Sequence, residues 1–133
     1  MKTALQLYTV RDYMEKDFYG TIKKVADIGF KAVEFAGYFD QDFKEIRKFL
    51  DDNGLECCSS HLGVADENNV EKVCDELKTL GAKNWVINID GTGSDENFIN
   101  AYNALVKSAK LCAERDINVL FHNHWWEHET KLN

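Results

Sequence analysis

At 133 residues, 44% of them hydrophobic and 29% charged, the chain has the make-up of one globular domain with a buried core, not of a disordered segment. Its formal charge of −7 at pH 7 leaves no basic excess for a phosphate backbone. That argues against nucleic acid and for a small molecule or another protein as partner.

The N-terminal apolar run is interrupted by Gln6 and Arg11. It is too short for a signal peptide, or for the roughly 20 apolar residues of a membrane span. The expected setting is therefore the cytoplasm, with no membrane partner.

Two hydrophobic periods alternate along the chain. Strand-length apolar runs are predicted at Ala4–Tyr8, Ala32–Ala36, Leu55–Ser59, Trp85–Ile89 and Ile117–Phe121. Between them, apolar residues recur every three or four positions, as on one face of a helix. The first such set is Ile22, Val25, Ala26 and Ile28, stopped by Gly29. The second is Phe43, Ile46, Phe49 and Leu50, followed by Asn53 and Gly54. The third is Val70, Val73, Cys74 and Leu77, closed by Gly81. The fourth is Phe98, Ala101, Leu105, Ala109 and Cys112, running to Arg115 and Asp116. Each stop is a residue type suited to a helix C-terminus.

Five strands and four helices in strict alternation predict an α/β protein of consecutive βα units on a parallel sheet with right-handed crossovers. No proline, linker or low-complexity stretch divides residues 1–133, so one domain is expected. The first strand is followed by Thr9-Val10-Arg11-Asp12, without the glycines of a nucleotide-binding turn, and no GxxxxGK[ST] occurs. That favours half of a (β/α)8 barrel over an open doubly wound sheet. Cys57, Cys58, Cys74 and Cys112 show no CxxC spacing and are expected as reduced, buried or near-buried thiols, the first two on opposite faces of a strand.

In such a fold ligand-binding side chains gather where strands end. Those positions hold Gln6, Tyr8 and Arg11 after strand one, and Glu34 in strand two. Ser59, Ser60 and His61 follow in strand three, Asn88 and Asp90 in strand four, and His122-Asn123-His124-Trp125-Trp126-Glu127-His128-Glu129 after strand five. All four histidines, His61, His122, His124 and His128, fall in these segments. Imidazole serves as a metal ligand, an acid–base group or a plain hydrogen-bond donor. Glu34 reads either as a structural partner of Arg11 or of a buried hydroxyl, or as an acid–base or sugar-hydroxyl acceptor. Tyr8, Tyr38, Trp125 and Trp126 suit stacking on a sugar ring as well as core filling.

Leu5-Gln6-Leu7-Tyr8-Thr9-Val10-Arg11, Val33-Glu34-Phe35-Ala36-Gly37-Tyr38, Ser60-His61-Leu62-Gly63 and His122-Asn123-His124 together resemble the xylose-isomerase-like sugar phosphate isomerase/epimerase superfamily, in order and along the whole chain. The resemblance implies a TIM barrel in which a divalent metal (Mn, Mg, Co or Zn) and carboxylates move a proton next to a carbonyl of a sugar or polyol. It implies His122 as metal ligand at the strand-five position, where other branches carry Glu. Glu34, His61 and Glu127 become the catalytic set. Gln6, Tyr8, Arg11, Asn88, His124 and Trp125 become substrate contacts, Trp125 standing where relatives commonly have Asp.

The family's remaining ligands come from strands six to eight, beyond the five read here. The alternatives are thus a catalytically inactive truncated remnant or a small-molecule binding module. A half-barrel with two open edges and an uncovered, apolar inner face is expected to self-associate, most simply as a homodimer.

Overall fold

The computed structural model describes residues 3–88 and 94–125. Five parallel strands, β1 (Ala4–Gln6), β2 (Ala32–Phe35), β3 (Glu56–Leu62), β4 (Asn84–Ile87) and β5 (Asn118–Phe121), form one sheet in the order β1-β2-β3-β4-β5. A doubly wound sheet reverses direction at a switch point and places helices on both faces. This order never reverses, so right-handed crossovers put every helix on the same face, as in a barrel.

The four expected helices are present as α2 (Phe18–Ile28), α3 (Phe43–Asp52), α4 (Val70–Leu80) and α5 (Asp95–Ala113). A fifth, α1 (Arg11–Met14), was not foreseen. It follows a 3₁₀ turn over Leu7–Val10, so β1 stops at Gln6 rather than running to Tyr8. The apolar run misled because Leu7 turns inward to the core while Tyr8 stays exposed, a split that a 3₁₀ turn produces as readily as a strand. β3 in turn outruns its apolar stretch and carries Ser60, His61 and Leu62. Among the described residues no helix is long and apolar enough to cross a membrane.

The helices bury one stripe each: Phe18, Ile22 and Val25 from α2, Ile46 and Leu50 from α3, Val70, Cys74 and Leu77 from α4, Cys112 from α5. Against them pack the outward residues of the strands, Val33, Phe35, Cys57, Trp85 and Ile87, all nearly inaccessible. Asp42 caps α3 by accepting from the N–H groups of Lys44 and Glu45, while Arg47–Asp51 and Lys48–Asp52 pairs lie on its outer side. Gly81 ends α4 at φ +76°, a conformation glycine adopts without a Cβ clash.

The β2–β3 register slips by one. Val33 pairs with Cys57, but Glu34 pairs with Ser59, leaving Cys58 as an extra residue. Strict alternation would put Cys57, Ser59 and His61 on one face. With the bulge, Cys57 and Ser60 face the helices and are buried, while Ser59 and His61 face the barrel interior. Burial pushes the Cys57 thiol up to about 12, so it stays protonated and inert.

The β3–α4 loop is pinned twice. Trp85 donates its indole N–H to Gly63 O at 2.9 Å, and Ser108 of α5 bonds both the N–H and the carbonyl of Ala65.

The Asp42 cap is individually testable. Asp42→Ala is expected to lower stability by about 1 kcal/mol in urea unfolding, with little change in slope, because two orphan N–H groups of α3 lose their acceptor.

Candidate functional site

One polar residue from each strand forms a row across the interior face. Gln6 pairs with Glu34 and Glu34 with Ser59. Asn84 continues the row on β4, one position before the Ser60–Trp85 pair, and it pairs with Asn118 on β5. The side chains are linked. Gln6 Nε2 donates to Glu34 Oε1 at 2.6 Å and Ser59 Oγ donates to Glu34 Oε2 at 2.5 Å. Asn84 Nδ2 donates to the Cys58 carbonyl at 2.7 Å, and Asn118 Nδ2 to Asn84 Oδ1 at 3.1 Å. A carboxylate on a sheet face is costly unless its oxygens are bonded, and both oxygens of Glu34 are.

Above this row, at the carboxyl ends of the strands, lies a cavity of about 550 Å³ lined by Gln6, Tyr8, Ala36, His61, Asn88, His122 and His124. His61 Nε2 contacts Asn88 Oδ1 at 2.9 Å. An amide oxygen only accepts, so Nε2 is the donor in this contact. The His61 and His122 rings are 4.8 Å apart between centroids, as are those of His122 and His124. Behind β3, on the helix side, Tyr38 and Ser60 share a 2.5 Å hydroxyl contact, and burial raises the Tyr38 pKa.

No protein-family model matches the chain. A 63-residue stretch is 38% identical to aldehyde-alcohol dehydrogenase 2 of Entamoeba histolytica, covering 45% of this chain and 7% of that enzyme, too small a share to carry its activity over. Among solved structures, a sugar phosphate isomerase/epimerase from Parabacteroides distasonis superposes with a TM-score of 0.69 at 21% identity, over 92% of this chain and 51% of that one. The probable 3-DHS dehydratase AsbF of Bacillus anthracis, involved in petrobactin synthesis, gives 0.72 at 14%, over 93% and 53%. The IolI protein with a bound zinc atom gives 0.67 at 12%, over 91% and 51%. The fold is the N-terminal half of a xylose isomerase-like TIM barrel.

The half-barrel spans about half the length of each of these three structures. Identities this low establish the fold, and the differing descriptions of the three proteins show that chemistry must be read from side chains.

The half-barrel brings together most of the residues singled out in the sequence. Gln6, Tyr8, His61, Asn88, His122 and His124 line the cavity, and Glu34 stands directly beneath it, bonded to Gln6. Glu34 has the buried-hydroxyl partner that was one of its expected readings, in Ser59, and does not pair with Arg11. Arg11 sits on α1 with its guanidinium 4.3 Å from the Tyr8 ring centroid and Nη1 donating to Tyr8 O, so it braces Tyr8 rather than lining the cavity. Trp125 is 67% exposed and is not among the lining residues. Glu127, together with Asp90, Trp126 and His128, lies outside the described residues. The four cysteines are free thiols.

Sequence reasoning missed Ala36, the role of Ser59 as a donor to Glu34, and the Asn84–Asn118 pair. The two asparagines were open to detection as polar residues opening otherwise apolar strands.

The metal expectation meets a limit. Among the described residues, no group of three His, Cys, Asp or Glu side chains is arranged to hold an ion. The described part of the half-barrel therefore does not by itself close a metal shell, although one fold neighbour carries zinc.

Ser59→Ala removes one of the two donors to Glu34. We expect a loss of about 1–3 kcal/mol in chemical denaturation, the cost of an under-satisfied, partly buried carboxylate.

Proposed function

We propose that this half-barrel binds a sugar or polyol, as part of a sugar (phosphate) isomerase/epimerase-like site in which a proton moves next to a carbonyl. One observation carries the reading: a carboxylate fixed by two donors lies beneath a cavity whose rim presents imidazole and amide groups, at the end of the sheet where barrels place their chemistry.

Glu34 and the amides of Gln6 and Asn88 suit hydroxyl recognition, because each polyol hydroxyl both donates and accepts. Tyr8 offers a ring face braced by Arg11, and His124 adds a second imidazole edge. His61, oriented by Asn88, is the proton-transfer group among the described residues, and Glu127 is a further acidic candidate. We assign His122 as this chain's donor to a divalent ion (Mn, Mg, Co or Zn), the other donors coming from beyond the described residues.

A second reading is a sugar-binding module without turnover, in which the cavity is used and no group of three metal donors forms, as among the described residues. The two are separated by assay and calorimetry on the same protein. On the first reading, turnover of a sugar panel with Mn²⁺ or Co²⁺ falls by about 10²-fold or more in His61→Ala. His122→Ala loses Mn²⁺ binding, and His61→Ala keeps it. Saturable sugar binding with neither turnover nor Mn²⁺ uptake would establish the module instead. Mn²⁺ binding retained in His122→Ala would remove that residue from the donor set.

Self-association is proposed on the sheet edges. Among the described residues β1 and β5 each have a strand neighbour on one side only, and Leu120 and Phe121 on β5 are each 46% exposed. The inner face that was expected to be apolar is instead crossed by the polar row, so edge pairing carries the argument. Sedimentation of the full chain should give a dimer mass that Leu120→Lys/Phe121→Lys reduces to monomer. A concentration-independent monomer in the unmodified protein would count against it.

A further inference from the structure

We infer that the outer groove between α2 and α3 is a docking site for another protein, and that its occupant is an arginine side chain of that partner. The inference is independent of the sugar-binding reading, because the groove lies in the helical layer and shares no residue with the interior cavity.

The groove has a volume of about 420 Å³ and is lined by Tyr19 of α2 and by Glu45, Lys48, Phe49 and Asp52 of α3. The four α3 residues are three or four positions apart, so they share one face, beside the buried stripe of Ile46 and Leu50. The Tyr19 and Phe49 rings meet at 4.8 Å between centroids, and Phe18 packs edge-on against Tyr19 at 5.1 Å. Partly buried rings thus make an aromatic floor beneath a charged rim.

Two polar groups of this groove go unanswered within the chain. The Tyr19 hydroxyl oxygen is buried, and among the described residues it has no hydrogen-bond partner. Burial, with the Glu45 and Asp42 carboxylates nearby, raises the Tyr19 pKa, so the phenol stays neutral. Glu45 forms no ion pair among the described residues, since Lys48, one turn on, is bonded to Asp52 at 2.5 Å. Reaching the hydroxyl takes rotation of rim side chains, and Glu45, Lys48 and Asp52 are all exposed.

A guanidinium group answers both. Its plane stacks on an aromatic ring, its charge pairs with Glu45, and a further N–H donates to the Tyr19 oxygen. The rim carries Glu45 and Asp52 against Lys48, a negative balance in a chain of net charge −7, so an anion is repelled. An apolar segment would dehydrate Glu45 without replacing its hydrogen bonds. A lysine ammonium is a compact point charge and does not cover the ring while reaching both oxygens. A second copy of this chain is a poor donor. Its three arginines are already bonded: Arg11 to Tyr8 O, Arg47 to Asp51 and Leu80 O, and Arg115 to Leu111 O.

Protein-observed NMR on the full chain tests the inference with the peptide Ac-Gly-Arg-Gly-NH2 and its lysine and citrulline counterparts. Citrulline keeps the shape of arginine without the charge. We expect saturable shifts at Tyr19, Glu45 and Phe49 with the arginine peptide, bound about tenfold or more tightly than the citrulline peptide. Affinity should fall as salt rises from about 20 mM to about 300 mM. Glu45→Gln should weaken binding about tenfold, whereas Glu71→Gln, which removes the same charge from α4, should leave it unchanged. Tyr19→Phe should weaken binding about threefold without lowering the unfolding midpoint, because the deleted hydroxyl has no partner among the described residues. Citrulline binding as tight as arginine, equal losses in Glu45→Gln and Glu71→Gln, or no saturable binding of the arginine peptide would each overturn the inference. Lysine binding as tight as arginine would overturn the assignment of the occupant to arginine.

Discussion

The extra residue at Cys58 sets the orientation of everything that follows it on β3. Because Val33 pairs with Cys57 but Glu34 with Ser59, one strand gains a residue on its neighbour and its side chains change sides. Below the slip, Cys57 goes to the helices. Above it, Ser59 turns inward to donate to Glu34, Ser60 turns outward to meet Tyr38, and His61 reaches the cavity. Without the slip the Glu34 carboxylate would face a thiol-bearing or main-chain surface, and His61 would point into the helical layer. A single bulge thus couples the stability of the sheet to the placement of its most chemically active residues.

The two faces of the sheet divide their tasks sharply. The helix side is conventional, with Val33, Phe35, Trp85 and Ile87 sealed against four amphipathic helices. Barrel interiors are usually packed with branched apolar residues. This one carries Gln6, Glu34, Ser59, Asn84 and Asn118 at one level, tied to each other or to main chain by short hydrogen bonds. Such a row contributes little net stability, since each bond replaces one to water. What it contributes is fixed direction for the side chains of this face. The fold is held from outside, and the inner face is left for chemistry.

That separation explains why proteins described as an isomerase/epimerase, a dehydratase and a zinc-bearing protein share the architecture at 12–21% identity. The helix-facing residues need only be apolar and of suitable volume. The inward residues are free to vary with the reaction. In this chain the inward set is rich in imidazole and amide groups. Among the described residues it stops short of three grouped metal donors.

The amino-acid sequence by itself determined the alternation of strand and helix, the four long helices, the parallel sheet and the barrel-type order. Those depend on local hydrophobic period and on helix stops such as Gly29 and Gly81, which operate within a few residues. It also placed Gln6, Glu34, His61, Asn88 and His122 at strand ends, because side chains there are read directly from the limits of apolar runs. Only the tertiary structure decided the 3₁₀ turn that ends β1 at Gln6, the bulge at Cys58, the Asn84–Asn118 pair and the diversion of Arg11 onto Tyr8. Each of these depends on which residue stands opposite which across neighbouring strands, or on a side chain choosing between two nearby partners. A sequence records neighbours along the chain, and these choices are made between neighbours in space.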